Sequence, residues 1–474
     1  MNLVLQKLRD NWQGPAGYKR IVELALPMLV SMGAFSFMQA MNRIFLSWLS
    51  PAALAASGPA SGLVWAIFCV FLGTALYTST FVAQYHGAGR SELVGRALWA
   101  GVTVAWLGQA LLGIVSLFAD ELFALVGHAD EVRALEVEYF RISCWGVGAM
   151  ASGAVLGSFY SARGQTRPLM WIGVSMAALN IVLDYGLVFG NFGMPALGMA
   201  GAAWATFVCQ WLGGLIWALL VLRKEHDAQY RVLADFGFHA AEVRRLLRFG
   251  LPSGAHFFLD GAAWTAFSLI VGRLGTSTLA GSNVAWQINS FGLMPILGAG
   301  GATAIVVAQF QGAGTPELGV RATRSALHLA LVYMSLFALL LVALGDWVLL
   351  PFSAGAKDFA AIAPVARSLF GFVVALGFCH TVQMLYASAL KGAGDVRFIM
   401  WTLALSASVG FVLPLLLLLH FGFGVQAMWA WFVLDAGVVA LIFRARFRSG
   451  RWTGLSLLEP SVIDSRGGIS DKID

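Results

Sequence analysis

Two carboxylates stand in the middle of long apolar stretches: Asp184 in NIVLDYGLVFG (180–190) and Asp260 in AHFFLDGAAW (255–264). At helical spacing Asn180 lies one turn before Asp184, and His256 one turn before Asp260. A further polar pair, His380 and Gln383, occupies HTVQ (380–383), and Asn283, Gln287 and Asn289 interrupt another apolar stretch. A charged side chain at the centre of a membrane-spanning helix costs at least ~2.5–3.5 kcal/mol, so such groups mark ion or substrate paths. An acid with a neighbouring amide can hold a proton or a hard cation. An Asp–His set is less negative than two carboxylates and suits proton exchange.

Those groups need a scaffold that survives in lipid, and the composition supplies one. Of 474 residues 59% are hydrophobic and 11% charged, against about 45–50% and about 25% in soluble domains. Residues 44–89, 97–119, 142–162, 185–222, 274–316, 325–345, 368–390 and 398–434 contain no Asp, Glu, Lys or Arg. A span needs roughly 20 apolar residues, and these runs hold spans singly or in pairs. The period-2 alternation of a membrane barrel is absent. The expected fold is all-α and polytopic, with twelve transmembrane helices near 21–48, 57–83, 95–118, 138–160, 168–190, 199–222, 246–271, 284–309, 324–344, 364–387, 398–420 and 424–443.

Twelve crossings put both termini on one side, and 24 of the 30 Lys and Arg fall there, Lys391 among them. Arg43, Arg133, Arg141, Arg273, Lys357 and Arg367 fall on the other, with the acidic loop around Asp120, Glu121, Asp130 and Glu131. The positive-inside rule makes the rich side cytoplasmic, so both termini are expected in the cytoplasm of a plasma (inner) membrane protein. The net charge of +6 is the sum of loops facing an anionic leaflet and does not point to nucleic acid. The basic head precedes a full-length span, so helix 1 is read as the insertion signal. Cys69, Cys144, Cys209 and Cys379 lie in expected helices without metal-ligand spacing and read as apolar packing residues.

The chain is duplicated. VAQYHGAG (82–89) and VAQFQGAG (307–314) share six of eight letters at a shift of 225 residues. The same shift relates Pro27 to Pro252 and LAAS (54–57) to LAGS (279–282). Residues 1–222 and 246–454 are therefore two six-helix lobes inserted in the same sense, joined by a basic linker at 223–248, with 455–474 a polar tail. Such parallel repeats are a transporter architecture with the substrate path between the halves. The GAG phrase reads as a tight turn, since the Lys-Ser/Thr of a phosphate loop is missing. The two acids ignore the duplication: position 35 is Phe35 and position 409 is Val409.

LALPM in helix 1, the doubled VAQ-x-x-GAG, NIVLDYGLVFG, GMAGAAWATF (198–207) and FRARFRSGRW (443–452) together resemble the multidrug and toxic compound extrusion (MATE) family over residues 20–452. The resemblance implies two lobes in a V, alternating access, and export of organic cations and similar amphiphiles driven by entry of H⁺ or Na⁺, with no other cofactor. It places a cation or proton site in the first lobe at Asn42, Asn180, Asp184 and Thr206, with Na⁺ possible at Asn180, Asp184 and Thr206. Asn42 stands where the family has an acid. In the second lobe Asp260 takes the place of a carboxylate of the Na⁺-driven branch, and His380 stands where that branch has a second one. His256, Asp260, Gln287, His380 and Gln383 are the candidates there, for coupling or for substrate.

Asp435 and Glu23 are read as structural, and Phe35, Phe257, Phe258 and Trp264 as aromatics that could face the cleft and meet organic cations. With one main acid left in each lobe, the coupling ion is expected to be H⁺. The expected partners are amphiphilic or cationic small molecules and the bilayer, the chain acting as a monomer. Two alternatives stand beside the exporter. A flippase for lipid-linked saccharides would want a strongly basic cleft. A membrane-embedded enzyme using His380 with Asp260 lacks a nucleophile or metal set.

Overall fold

The computed structural model describes residues 12–352 and 359–458. Lys7, Arg9, Lys357, Arg466, Lys472 and most of the expected tail (459–474) lie outside the described residues. Within them the chain is helical without strands, and twelve helices are long and apolar enough to cross a membrane. They are α1 (Tyr18–Leu49), α2 (Pro51–Gly87), α3 (Ser91–Leu117), α4 (Asp130–Ser161), α5 (Arg167–Phe189), α6 (Met199–Val221), α7 (Ala240–Gly272), α8 (Thr276–Gly312), α9 (Pro316–Ala343), α10 (Phe370–Ala393), α11 (Val396–His420) and α12 (Val425–Arg448). Large side chains such as Trp48, Trp171, Leu219, Leu269 and Trp401 stay exposed on the outside, as a lipid-facing belt requires.

The helices outrun the charge-free runs that announced them. Helix α4 starts at Asp130 rather than near 138, because Asp130 and Glu131 form its first turn, where the positive end of the helix dipole favours acids. Helix α7 starts at Ala240, so the basic linker shortens and its first part forms a helix of its own, Lys224–Tyr230. Trp99 donates to the Val232 carbonyl at 2.7 Å and Arg96 pairs with buried Asp235 at 3.4 Å, holding that linker against α3. Helix α10 runs on to Ala393, past the expected end at 387. Inside α11, residues Ser406–Val412 widen into a π-helical turn, a distortion that often accompanies function.

Lipid offers little hydrophobic drive between helices, so close packing at small residues does that work. Gly153 of α4 faces Gly214 of α6. One core is built by Phe68, Phe140 and Phe159, mostly from α2–α6 but reaching Leu246 of α7 and Ala308 of α8, and another by Phe267, Leu376 and Trp429 in α7–α12. Between the two sets, α1 packs on α8 and α2 on α7, the reciprocal pairing that a 225-residue repeat dictates.

The repeated phrase sits on that seam. Gly89 and Gly314 both take φ +71, the turn that the GAG triplet was expected to make. The preceding glycines do something the sequence did not disclose. A side chain on Gly87 would run into the Gln309 carbonyl, and one on Gly312 into the Gln84 carbonyl. The two copies thus touch each other at the end that carries the basic loops. Gln84 also donates to the Gly392 carbonyl at 3.0 Å and accepts from the Leu457 amide at 3.0 Å, while Gln311 donates to the Thr453 carbonyl at 2.8 Å. The segment after α12 therefore laces the seam shut at this end. Towards the other end there is open space: a side chain on Gly58 or Gly62 of α2, or on Gly261 of α7, would meet nothing within 4 Å.

Candidate functional site

Above the closed seam lies a cavity of about 1020 Å³ lined from both lobes. Helix periodicity explains its walls. On α10 the lining residues are His380, Gln383, Met384, Ala387, Ser388 and Lys391, one face at i, i+3 and i+4. On α7 the face contains Pro252, His256, Leu259, Asp260 and Ala263. Phe35, Phe257 and Trp264 line the cavity as expected of cleft aromatics. Trp264 stacks on Trp286 at 3.9 Å between centroids, and Trp286 on Phe432 at 5.8 Å. Flat rings with few polar neighbours make a surface for amphiphiles, and their faces attract cations.

The structure brings the four first-lobe candidates together at the junction of α1, α5 and α6. Asp184 and Asn180 are fully buried and Asn42 nearly so. With the Asn180 amide oriented to match its neighbours, its nitrogen donates to Asp184 Oδ2 at 3.1 Å and its carbonyl oxygen accepts from the Thr206 amide at 3.3 Å. Asn42 lies beside Asp184 on the side of α1. Asp184 Oδ1 has no partner among the described residues, a costly state for a buried carboxylate oxygen unless it binds a proton or a cation. Asn180 and Thr206 line the cavity, whereas Asp184 and Asn42 lie behind them.

The second-lobe candidates are arranged differently. Asp260 lies 3.0 Å from His256 Nε2, and its side chain is 61% exposed towards the cavity. The i, i+4 spacing supplies the partner that the sequence placed one turn away, and the cavity between the lobes supplies the exposure. His380 stands edge-on to Trp286 and Phe432, at 6.4 and 5.8 Å, and its Nδ1 is buried without a partner among the described residues. Gln383 lies one turn along the same face.

Four readings of side-chain placement change. Gln287 is exposed and does not line the cavity: α8 presents Trp286, Leu293, Leu297, Gly300, Gly301 and Ala304 inward, and Gln287 is rotated by about 100° from Trp286. Phe258 likewise points away, next to inward-facing Phe257. Asp435, set aside as structural, lines the cavity and accepts from Ser406 at 2.9 Å through both oxygens, beside the π-turn of α11. Glu23 is a surface residue paired with Lys19. Lys391, counted among the loop charges, is a cavity residue. Its signal was present: it continues the His380–Ser388 face once α10 is allowed to run past 387.

The MatE family model matches residues 27–186 and 252–416, one match in each lobe. The chain is 30% identical over 410 residues to the multidrug resistance protein PmpM of Pseudomonas aeruginosa, covering 84% of this chain and 83% of that one. It is 28% identical to the multidrug resistance protein NorM of Burkholderia vietnamiensis, over 90% of this chain and 92% of the other. Among solved structures it superposes with a TM-score of 0.84 on a MOP superfamily transporter from Pyrococcus furiosus, at 22% identity, covering 94% and 98% of the two chains. An outward-facing multidrug resistance MATE family transporter superposes equally well, with 22% identity and 93% and 98% coverage. At those identities the structures speak for the fold.

Proposed function

From the premise that this chain belongs to the MATE family of membrane transporters, we propose that it is a multidrug exporter that exchanges amphiphilic or cationic drugs for an inward-moving cation. It is a multi-pass membrane transporter and not an enzyme. The observation that carries the drug reading is the cavity itself: about 1020 Å³, aromatic, between two lobes, with Asp260 open to it and the basic end sealed. A cationic amphiphile gains ring contacts from Trp264, Trp286 and Phe257 and a counter-charge from Asp260.

Transport then requires the seam at Gly87, Gly312, Gln84 and Gln309 to part while the opposite end closes. With the basic end in the cytoplasm of the inner membrane, as the positive-inside rule directs, the described arrangement faces outwards and releases drug. Both halves of the cleft come from one chain, so a monomer suffices. We read the coupling ion as H⁺ and Asp184 as its carrier. Asn42 stands where an acid would add a second negative ligand, and one carboxylate in a cage of neutral groups favours proton over Na⁺ exchange. Proton and drug need only oppose each other's binding for entry of one to drive exit of the other.

A flippase for lipid-linked saccharides is the weaker reading, because among the described residues the cavity contains a single Lys or Arg. The test is dye efflux from proteoliposomes with the pH and Na⁺ gradients imposed separately. Efflux with a pH gradient and no Na⁺ is expected. Efflux that appears only with a Na⁺ gradient overturns the choice of ion, and no efflux under either overturns the exporter.

A further inference from the structure

That single cation, Lys391, has no part in the exchange just described. Its Nζ lies 5.4 Å from the centroid of the Phe257 ring, across the seam between α10 and α7, and it forms no ion pair among the described residues. The contrast with its surroundings is informative. Arg96, Arg245 and Arg90 at this end all meet carboxylates. The acid that helical spacing offers to Lys391, Asp395, is taken instead by Arg446 at 2.7 Å. The backbone of Lys391 is also held in place. Its carbonyl accepts from the Tyr77 hydroxyl at 3.1 Å, and the next carbonyl, of Gly392, accepts from Gln84 at 3.0 Å. Gly392 packs so closely on the Ala304 backbone that a side chain there would collide with it. A cation is thus fixed to the cavity floor where both lobes meet, without a protein counter-ion, in a setting where an uncompensated charge is expensive.

The other sign of charge is close by. Phe257 neighbours His256, and Asp260 follows about one turn, or ~4.5 Å, further along α7. The two charges therefore lie on the order of 10 Å apart, on the wall of one cavity that Phe257 also lines. We propose that Lys391 anchors the carboxylate of amphoteric substrates. These are aromatic amphiphiles with an acid at one end, held on the floor, and an amine at the other, held at Asp260. This deepens the exporter reading and rests on it: the cavity takes cations, and Lys391 adds zwitterions to them.

The probe is a diamino xanthene dye with a free carboxylate, compared with its methyl ester, which is a plain cation of the same shape. Binding of each is followed by fluorescence anisotropy to the full-length protein in lipid nanodiscs. Lys391→Met should weaken the free acid by ~30-fold or more, since its carboxylate is left unpaired, and shift the ester by less than ~2-fold. Lys391→Arg should restore the acid. An equal loss for acid and ester, or no loss for either, overturns the role of Lys391 while leaving the exporter reading intact. Wild-type protein that binds neither dye overturns both. If raising the anionic lipid content displaces both dyes from wild type and not from Lys391→Met, the lysine holds a lipid headgroup, and the substrate assignment falls.

Discussion

Asp184 and Asp260 are matched in sequence and opposed in structure. Each follows a polar residue by one helical turn, and each interrupts an apolar run. Asp184 is enclosed by Asn42, Asn180 and Thr206, and one of its oxygens has no partner among the described residues. Asp260 lies beside His256 and looks into the cavity. An enclosed acid is reached by a proton or a small ion, and an open one by a drug. The duplication produced two lobes of one shape, and the acids then took different depths in them. Under the proposed function, that division gives coupling to the first lobe and recognition to the second.

The largest effect should come from the enclosed acid. Asp184→Asn removes the titrating group and leaves the hydrogen-bonding shape, so gradient-driven efflux should fall by ~100-fold or more, the range of a full coupling energy. Binding of a cationic dye to the purified variant should stay within ~2-fold of wild type. A large loss of dye binding would erase the distinction between the two acids. Asp260→Asn should do the reverse: weaken the dye by about 10-fold, or 1.4 kcal/mol, while proton-coupled efflux at saturating dye persists. Loss of coupling with dye binding intact would exchange the two assignments.

Where the chemistry departs from the repeat, the seam obeys it. Gly87→Val and Gly312→Val each push a side chain into the carbonyl of the other copy. Each should destabilise the closed basic end by about 1–3 kcal/mol, the usual cost of overpacking. A cysteine placed at Ala304 should then be labelled more readily from the basic side, to a similar extent in both variants. A strong effect from one glycine alone would show that the two halves of the contact are not equivalent.

Most of the scaffold was legible in the sequence, and the reason is lipid. A hydrocarbon solvent permits few charges, so charge-free runs disclose spans, and the 225-residue register discloses which helices are equivalent. Asn180 and Asp184 were legible as neighbours because they share one helix face. Thr206 and Asn42 came only through the family resemblance, since they approach Asn180 and Asp184 from two other helices. The contact of Gly87 with Gln309 was hidden for the same reason: it is made between lobes, and a glycine in a turn already had a sufficient local cause. Lys391 was misplaced because a basic residue next to GAG reads as a loop charge, although the helix carries it into the cavity.

The smallest effect is expected at Gln287, where the resemblance suggested a site residue and the helix turned it away. The inward face of α8 runs through Trp286, Leu293, Leu297, Gly300 and Ala304, and Gln287 is exposed outside it. Gln287→Ala should therefore change dye binding and coupled efflux by less than ~2-fold, the ordinary range for an exposed substitution away from special features. Trp286→Ala, one position earlier, is the control. It removes a ring stacked between Trp264 and Phe432 and beside His380, and should weaken an aromatic dye by several-fold, since one aromatic contact is worth about 0.5–1.5 kcal/mol. Measured together by anisotropy, the two variants read the rotation of α8 directly. If Gln287→Ala were the more damaging of the two, the inward face of α8 would be turned by about one residue, and the aromatic wall of the cavity would have to be redrawn with it.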